Sequence, residues 1–201
     1  SDTTKEGIVK TWAILALLLL VGCSNDVEFK VPESSQNFAQ EVKYNRKVDI
    51  LFVIDNSLSM DLVQKQLADQ IPHMFDSLQS LNMDIHIATT STTMNSHFEN
   101  IGRLIGEPRY ISNETPNFLE ELKKKIFIGQ DGSSIEEGLS SMAAVLSEKY
   151  LATEGKGFLR DDSFLNIIVL SNEDDSSPDG WNFYANFLDK LRPNHEDGSK
   201  S

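Results

Sequence analysis

Asp55, Ser57 and Ser59 stand at alternate positions directly after the run Val48–Ile54. A carboxylate and hydroxyls are hard oxygen donors, the ligand type that Mg²⁺, Mn²⁺ and Ca²⁺ prefer. The preceding residues, VDILFVI, form an almost continuous run of β-branched and large apolar side chains. Such a run reads as a strand buried in a parallel sheet. In an open α/β sheet, groups just beyond the carboxyl end of a strand form the ligand crevice. The chemistry on offer is therefore cation binding on a solvent-facing loop. The alternative is a strand-to-helix turn capped by Ser57 or Ser59.

Two more segments carry oxygen donors beside an apolar element. Asp131-Gly132-Ser133-Ser134 comes before a helix expected over Ser134–Leu146, with Ile135, Leu139, Met142, Ala143 and Leu146 facing inward. Ser171-Asn172-Glu173-Asp174-Asp175 follows Phe164–Leu170, the second run that reads as a strongly buried strand. Elements of both kinds alternate between these segments. Met60–Leu78 repeats Val63, Leu67, Ile71, Met74, Phe75 and Leu78 at helical spacing, with Pro72 expected to kink or divide the helix. Met83–Thr90 alternates as a strand and leads into the hydroxyl-rich Thr89–Thr93. Ile101–Ile111, with Gly102, Gly106 and Pro108, reads as irregular or a short hairpin. Asn117–Ile126 and the aromatic stretch Gly180–Leu191 read as helices. This alternation predicts an α/β fold: a doubly wound, mostly parallel sheet with helices on both faces.

The pattern Asp-x-Ser-x-Ser after an apolar strand resembles the metal-ion-dependent adhesion site of von Willebrand factor A-type domains. The resemblance extends from about Val48 to about Leu191. It implies a divalent cation, Mg²⁺ or else Mn²⁺ or Ca²⁺, held by loops that converge above the sheet. Asp55, Ser57 and Ser59 are the first-loop ligands it implies. The second loop of the family carries a threonine in a glycine-rich turn, which aligns with Ser133, or with Ser134 as the alternative. The third loop carries an aspartate, where this chain has Asn172. An amide oxygen accepts a hydrogen bond but brings no charge, so Glu173 or Asp174 are alternative ligands. In such sites the cation keeps an open position, which an acidic side chain of a protein partner fills. The resemblance also implies a further buried strand and a closing helix after Gly180–Leu191. Arg192–Ser201 is polar, so the strand at Phe164–Leu170 is expected to show an unpaired edge, covered by a partner, by residues 24–47 or by chain beyond this sequence.

The amino-terminal segment is of a different kind. Lys5 and Lys10 precede the apolar run Trp12–Val21, and small residues follow at Gly22-Cys23. A run of this length is short for a membrane span and fits the apolar region of a secretory signal peptide. Leu20-Val21-Gly22-Cys23 resembles the lipobox of bacterial lipoproteins, which implies lipidation at Cys23. Within that class Ser24, rather than Asp, implies outer-membrane sorting in a cell that has one. Residues 1–22 are then signal peptide, 23–47 the lipidated cysteine and a polar tether, and 48–201 the domain.

Composition limits the function classes. The chain has 201 residues, 39% hydrophobic and 24% charged, enough to bury a core, and its net charge is −13. That charge disfavours nucleic acid and anionic lipid and favours cations and basic partners. A lone cysteine removes any disulfide framework or cysteine-rich zinc site. Catalytic motifs are missing: Ser57 stands where a haloacid-dehalogenase-type phosphatase needs its second aspartate, and no nucleophile elbow, dinucleotide fingerprint or phosphate loop occurs. His73, His86, His97 and His195 have no metal spacing. The reading is a non-enzymatic, membrane-anchored module that binds a protein through a cation. The alternative is a scaffolding module of the envelope with a degenerate, metal-free site.

Overall fold

The computed structural model describes residues 46–192. The signal peptide, Cys23 and all but the last two residues of the tether fall outside them. Strand β1 (Lys47–Ile54) lies between β2 (Asp84–Ser91) and β4 (Phe164–Leu170), parallel to both, and β3 (Tyr110–Ser112) adds to β2 in antiparallel sense. The sheet is thus mixed, in the order β3-β2-β1-β4, and the fold is α/β.

Alternation along β1 builds two cores. Ile50, Phe52 and Ile54 pack with Ile71 and Phe75 of helix α1 (Asp61–Ser80) and with Leu122 and Ile126 of α2 (Phe118–Ile126). Leu51 and Val53 pack with Met142 and Val145 of α3 (Gly138–Val145) and with Tyr184 of α5 (Trp181–Leu191). Burying a side chain of this size contributes roughly 1.5–3 kcal/mol, so β1 is the element that holds the two layers together. A short helix α4 (Glu148–Leu151), absent from the sequence expectation, has Ser147 as its cap, accepting from the Tyr150 N–H. Among the described residues no helix is long and apolar enough to cross a membrane.

Three expectations are corrected. Pro72 does not divide helix α1, which continues through it; Ala68, Ile71 and Phe75 on either side are buried in the core, and that packing outweighs the lost backbone hydrogen bond. Strand β4 is half-exposed rather than strongly buried, with Phe164 45% and Val169 53% exposed. The reason is its place: among the described residues it pairs only with β1, at the end of the sheet. Helix α3 begins at Gly138, not Ser134, and Ile135 is 56% exposed rather than inward. Residues 133–137 are held out of the helix by bonds to other loops, Glu137 N–H to the Thr92 carbonyl at 2.8 Å and Ser176 N–H to the Glu136 carbonyl at 2.6 Å.

The amino end of the sheet is closed by charge. Asp49 is fully buried and is satisfied by the Arg160 guanidinium at 2.7 Å, by the Arg160 N–H at 2.7 Å and by the Ser163 hydroxyl. Arg160 also pairs with Asp84 at 2.7 Å. The carboxyl end is built differently.

Candidate metal centre

Register brings the loops together. Ile54 is opposite both Ser91 and Leu170, so β1, β2 and β4 end level with one another. The chain leaving β1 bonds to both neighbours: Asp55 N–H donates to the Leu170 carbonyl at 2.8 Å, and Thr92 N–H to the Ile54 carbonyl at 3.1 Å. The loop of residues 131–137 joins through Gly132 N–H, which donates to the Asn56 carbonyl at 2.9 Å.

Asp55 is fully buried, a correction to the solvent-facing position expected of it. Its Oδ1 accepts from Ser57 N–H at 2.8 Å and its Oδ2 from the Ser171 hydroxyl at 2.9 Å. Gln64 of α1 fixes its backbone, donating to the Asp55 carbonyl at 2.9 Å. Ser57 stands at the start of the short 3₁₀ turn Leu58–Met60, yet its side chain makes no capping bond. Its Oγ lies 3.0 Å from that of Ser59, which is in turn 3.2 Å from Nδ2 and 3.4 Å from Oδ1 of Asn172. Asp55, Ser57, Ser59, Ser171 and Asn172 thus form one hydrogen-bonded string, buried at Asp55 and exposed at Asn172.

Ser133 joins by a different route. It is buried, its N–H donates to Thr93 Oγ1 at 3.0 Å, and that hydroxyl donates to Asn56 Oδ1 at 2.9 Å. Its own hydroxyl accepts from Ile135 N–H at 2.9 Å, closing a local turn and leaving a lone pair. Ser134, Glu173 and Asp174 are exposed. Asp175 acts as a cap between loops: its Oδ1 accepts the Leu139 N–H at 3.1 Å, near the start of α3.

The sequence reading missed Glu136. It is 2% exposed, and its carboxylate accepts from the Thr92 hydroxyl. Burial holds its pKa above the usual carboxylate value, the Thr92 bond opposes that, and the nearby Asp55 and Glu173 charges add to it. Gln64, Asn56, Thr92 and Thr93 were missed as well. For the threonines a signal existed, the hydroxyl run Thr89–Thr93 after a strand. Glu136 was concealed inside an expected helix.

Among the described residues no three histidine, cysteine or acidic side chains converge as a metal cluster. The donor set is instead hydroxyl-rich, and hard in character. No family model and no curated protein matches this chain.

Proposed function

We propose that this protein is a lipid-anchored envelope protein whose domain, doubly wound and of the von Willebrand factor A type, binds a protein partner through a divalent cation. Asp55, Ser57 and Ser59 hold the ion, with Ser133 and Asn172 completing the set from the second and third loops. Mg²⁺ is the expected ion, with Mn²⁺ or Ca²⁺ as substitutes. The partner offers an acidic side chain, and a charge-assisted bond in a partly desolvated spot supplies affinity and register. Asp55 and its hydroxyls position the ion and perform no reaction, so the domain is a binding module and not an enzyme.

One observation carries the reading. The Ser57 and Ser59 hydroxyls lie 3.0 Å apart beside a buried Asp55, and Ser57 caps no backbone N–H. The bland role for these serines, capping a helix start, is therefore not the role of Ser57, whose backbone N–H, at 2.8 Å from Asp55 Oδ1, keeps the paired hydroxyls close to a carboxylate of opposite sign to a cation. Leu58 and Ile135, next in the chain to Ser57 and two residues beyond Ser133, are 78% and 56% exposed. Apolar side chains of that exposure on the ligand loops suit the apolar part of a protein contact.

Calorimetric titration with Mg²⁺ tests the site. The wild type should bind, while Asp55→Asn and Ser57→Ala should bind at least about tenfold more weakly, a loss of about 1.4 kcal/mol. Wild-type affinity in Ser57→Ala would sink the assignment, and a chelator-insensitive partner contact would leave a metal-free scaffold as the better description. Anchoring rests on the resemblance of Leu20–Cys23 to a lipobox. Cys23→Ser should leave the protein unprocessed or release it from the membrane fraction; identical processing and fractionation would refute lipidation.

A further inference from the structure

Glu136 is a buried carboxylate that the protein leaves half satisfied. One oxygen accepts from the Thr92 hydroxyl, and the other, Oε1, receives no hydrogen bond. Asp49, equally buried at the far end of the sheet, shows how this chain treats such a group when no ligand is needed: it surrounds it with Arg160 and Ser163. Among the described residues nothing comparable meets Glu136. The groups acting on it are one hydroxyl and the carboxylates of Asp55 and Glu173, whose charges raise its pKa further. A bare carboxylate oxygen buried beside a second carboxylate is costly unless a cation or a proton lies there.

The placement is also fixed. Asp55 and Thr92 are the residues that follow the paired ends of β1 and β2, Ile54 and Ser91. Thr92 therefore holds the Glu136 carboxylate next to Asp55. The backbone is tied on both sides, by Glu137 N–H to the Thr92 carbonyl and by Ser176 N–H to the Glu136 carbonyl. This is a carboxylate locked into the site, and among the described residues only Thr92 donates to it.

We propose that Glu136 is a direct ligand of the divalent cation, beside Asp55, so that the chain itself supplies two negative charges to the ion. This rests on the cation reading above and extends it, because the second charge comes from residue 136 and not from the third loop. Asn172 then need carry no charge. The ion is neutralised by the protein alone and stays bound without a partner, since ligand charge count sets the affinity of such sites. A partner's carboxylate adds contact and orientation to an ion already held.

Titration of Mg²⁺ and Mn²⁺ into the wild type, Glu136→Gln and Glu136→Met at neutral pH tests this, with metal-free thermal unfolding alongside. Gln keeps an acceptor for Thr92, and Met fills the same volume without polarity. Both variants should lose affinity by at least about 10- to 100-fold, the range seen when even the outer-shell partners of metal ligands are removed. Both should melt, metal-free, at or above the wild-type temperature, because a repulsion between carboxylates is gone. A proton shared by Glu136 and Asp55 in place of an ion would leave metal affinity unchanged in both variants, and that result overturns the proposal. Binding lost in Ser57→Ala but kept in both Glu136 variants overturns this inference alone. A wild type that binds neither ion overturns it together with the reading on which it rests.

Discussion

The side-chain amide of Gln64 donates to the Asp55 carbonyl at 2.9 Å, which ties helix α1 to the first residue of the site. The same amide donates to the Gly129 carbonyl at 3.0 Å and accepts from Ile128 N–H at 3.0 Å. Gln64 is fully buried, and both its donors and its acceptor are used. Replacing it with Leu leaves three backbone groups without this partner, each at about 1–3 kcal/mol. Gln64→Leu should therefore lower stability by about 3 kcal/mol or more in urea unfolding, and should weaken Mg²⁺ binding by loosening Asp55. Wild-type stability in this variant would show that water replaces the amide.

Asn172 is exposed and within 3.2 Å of the Ser59 hydroxyl. Asn172→Asp adds a negative charge at the open side of the site with almost no change in shape. Mg²⁺ affinity should rise in calorimetry, more at low ionic strength than at high, because an exposed charge is screened. An unchanged or lower affinity would mean that the third loop contributes through Glu173 or Asp174.

Gly132 allows two loops to touch. A Cβ there would come within 2.3 Å of Asn56 Oδ1 and 2.7 Å of the Asn56 carbonyl oxygen. The second of these is backbone and cannot swing away. Gly132→Ala should push the loop of residues 131–137 off the first loop, breaking the 2.9 Å bond from Gly132 N–H to the Asn56 carbonyl. The expected outcome is weaker cation binding with a smaller loss of stability, read by calorimetry and thermal unfolding on the same samples. Wild-type cation affinity would show that the second loop is not part of the centre.

Lys125 of α2 gives the protein a pH dependence away from the site. It is 4% exposed, and its ammonium donates to the carbonyls of Ile105, Pro108 and Arg109. Burial lowers its pKa from 10.5 to about 8, against the opposing charge of Glu107. In the unfolded chain the proton is kept to about 10.5, so between about pH 8 and that value the unfolded state binds more protons. The contribution of this group to stability therefore rises with pH across that window and is flat below it. Urea unfolding of the wild type and Lys125→Met should give a stability difference that moves in favour of the wild type from pH 8 to pH 10. A constant difference would mean that the three carbonyls hold the ammonium charged throughout.

Much of this could be read from local pattern. The run at Val48–Ile54 reads as a buried strand, because it is short and rich in β-branched and large apolar residues that a sheet covered on both faces can bury. The stripe of Ile71 and Phe75 settled one face of α1, and the spacing of Asp55, Ser57 and Ser59 placed oxygen donors beyond a strand end. The tertiary structure decided what periodicity does not encode. Glu136 lies inside an apolar pattern that reads as helix, yet contacts with Thr92 and Ser176, 44 and 40 residues away, keep its segment out of the helix and its carboxylate buried. Asp55 is enclosed because Ser171, 116 positions along the chain, arrives just past the end of the neighbouring strand. Strand β4 has the composition of a buried strand and the exposure of an edge, since exposure depends on which neighbours pair with it. Sequence spacing determined which donors this chain owns; register between distant strands determined which of them meet.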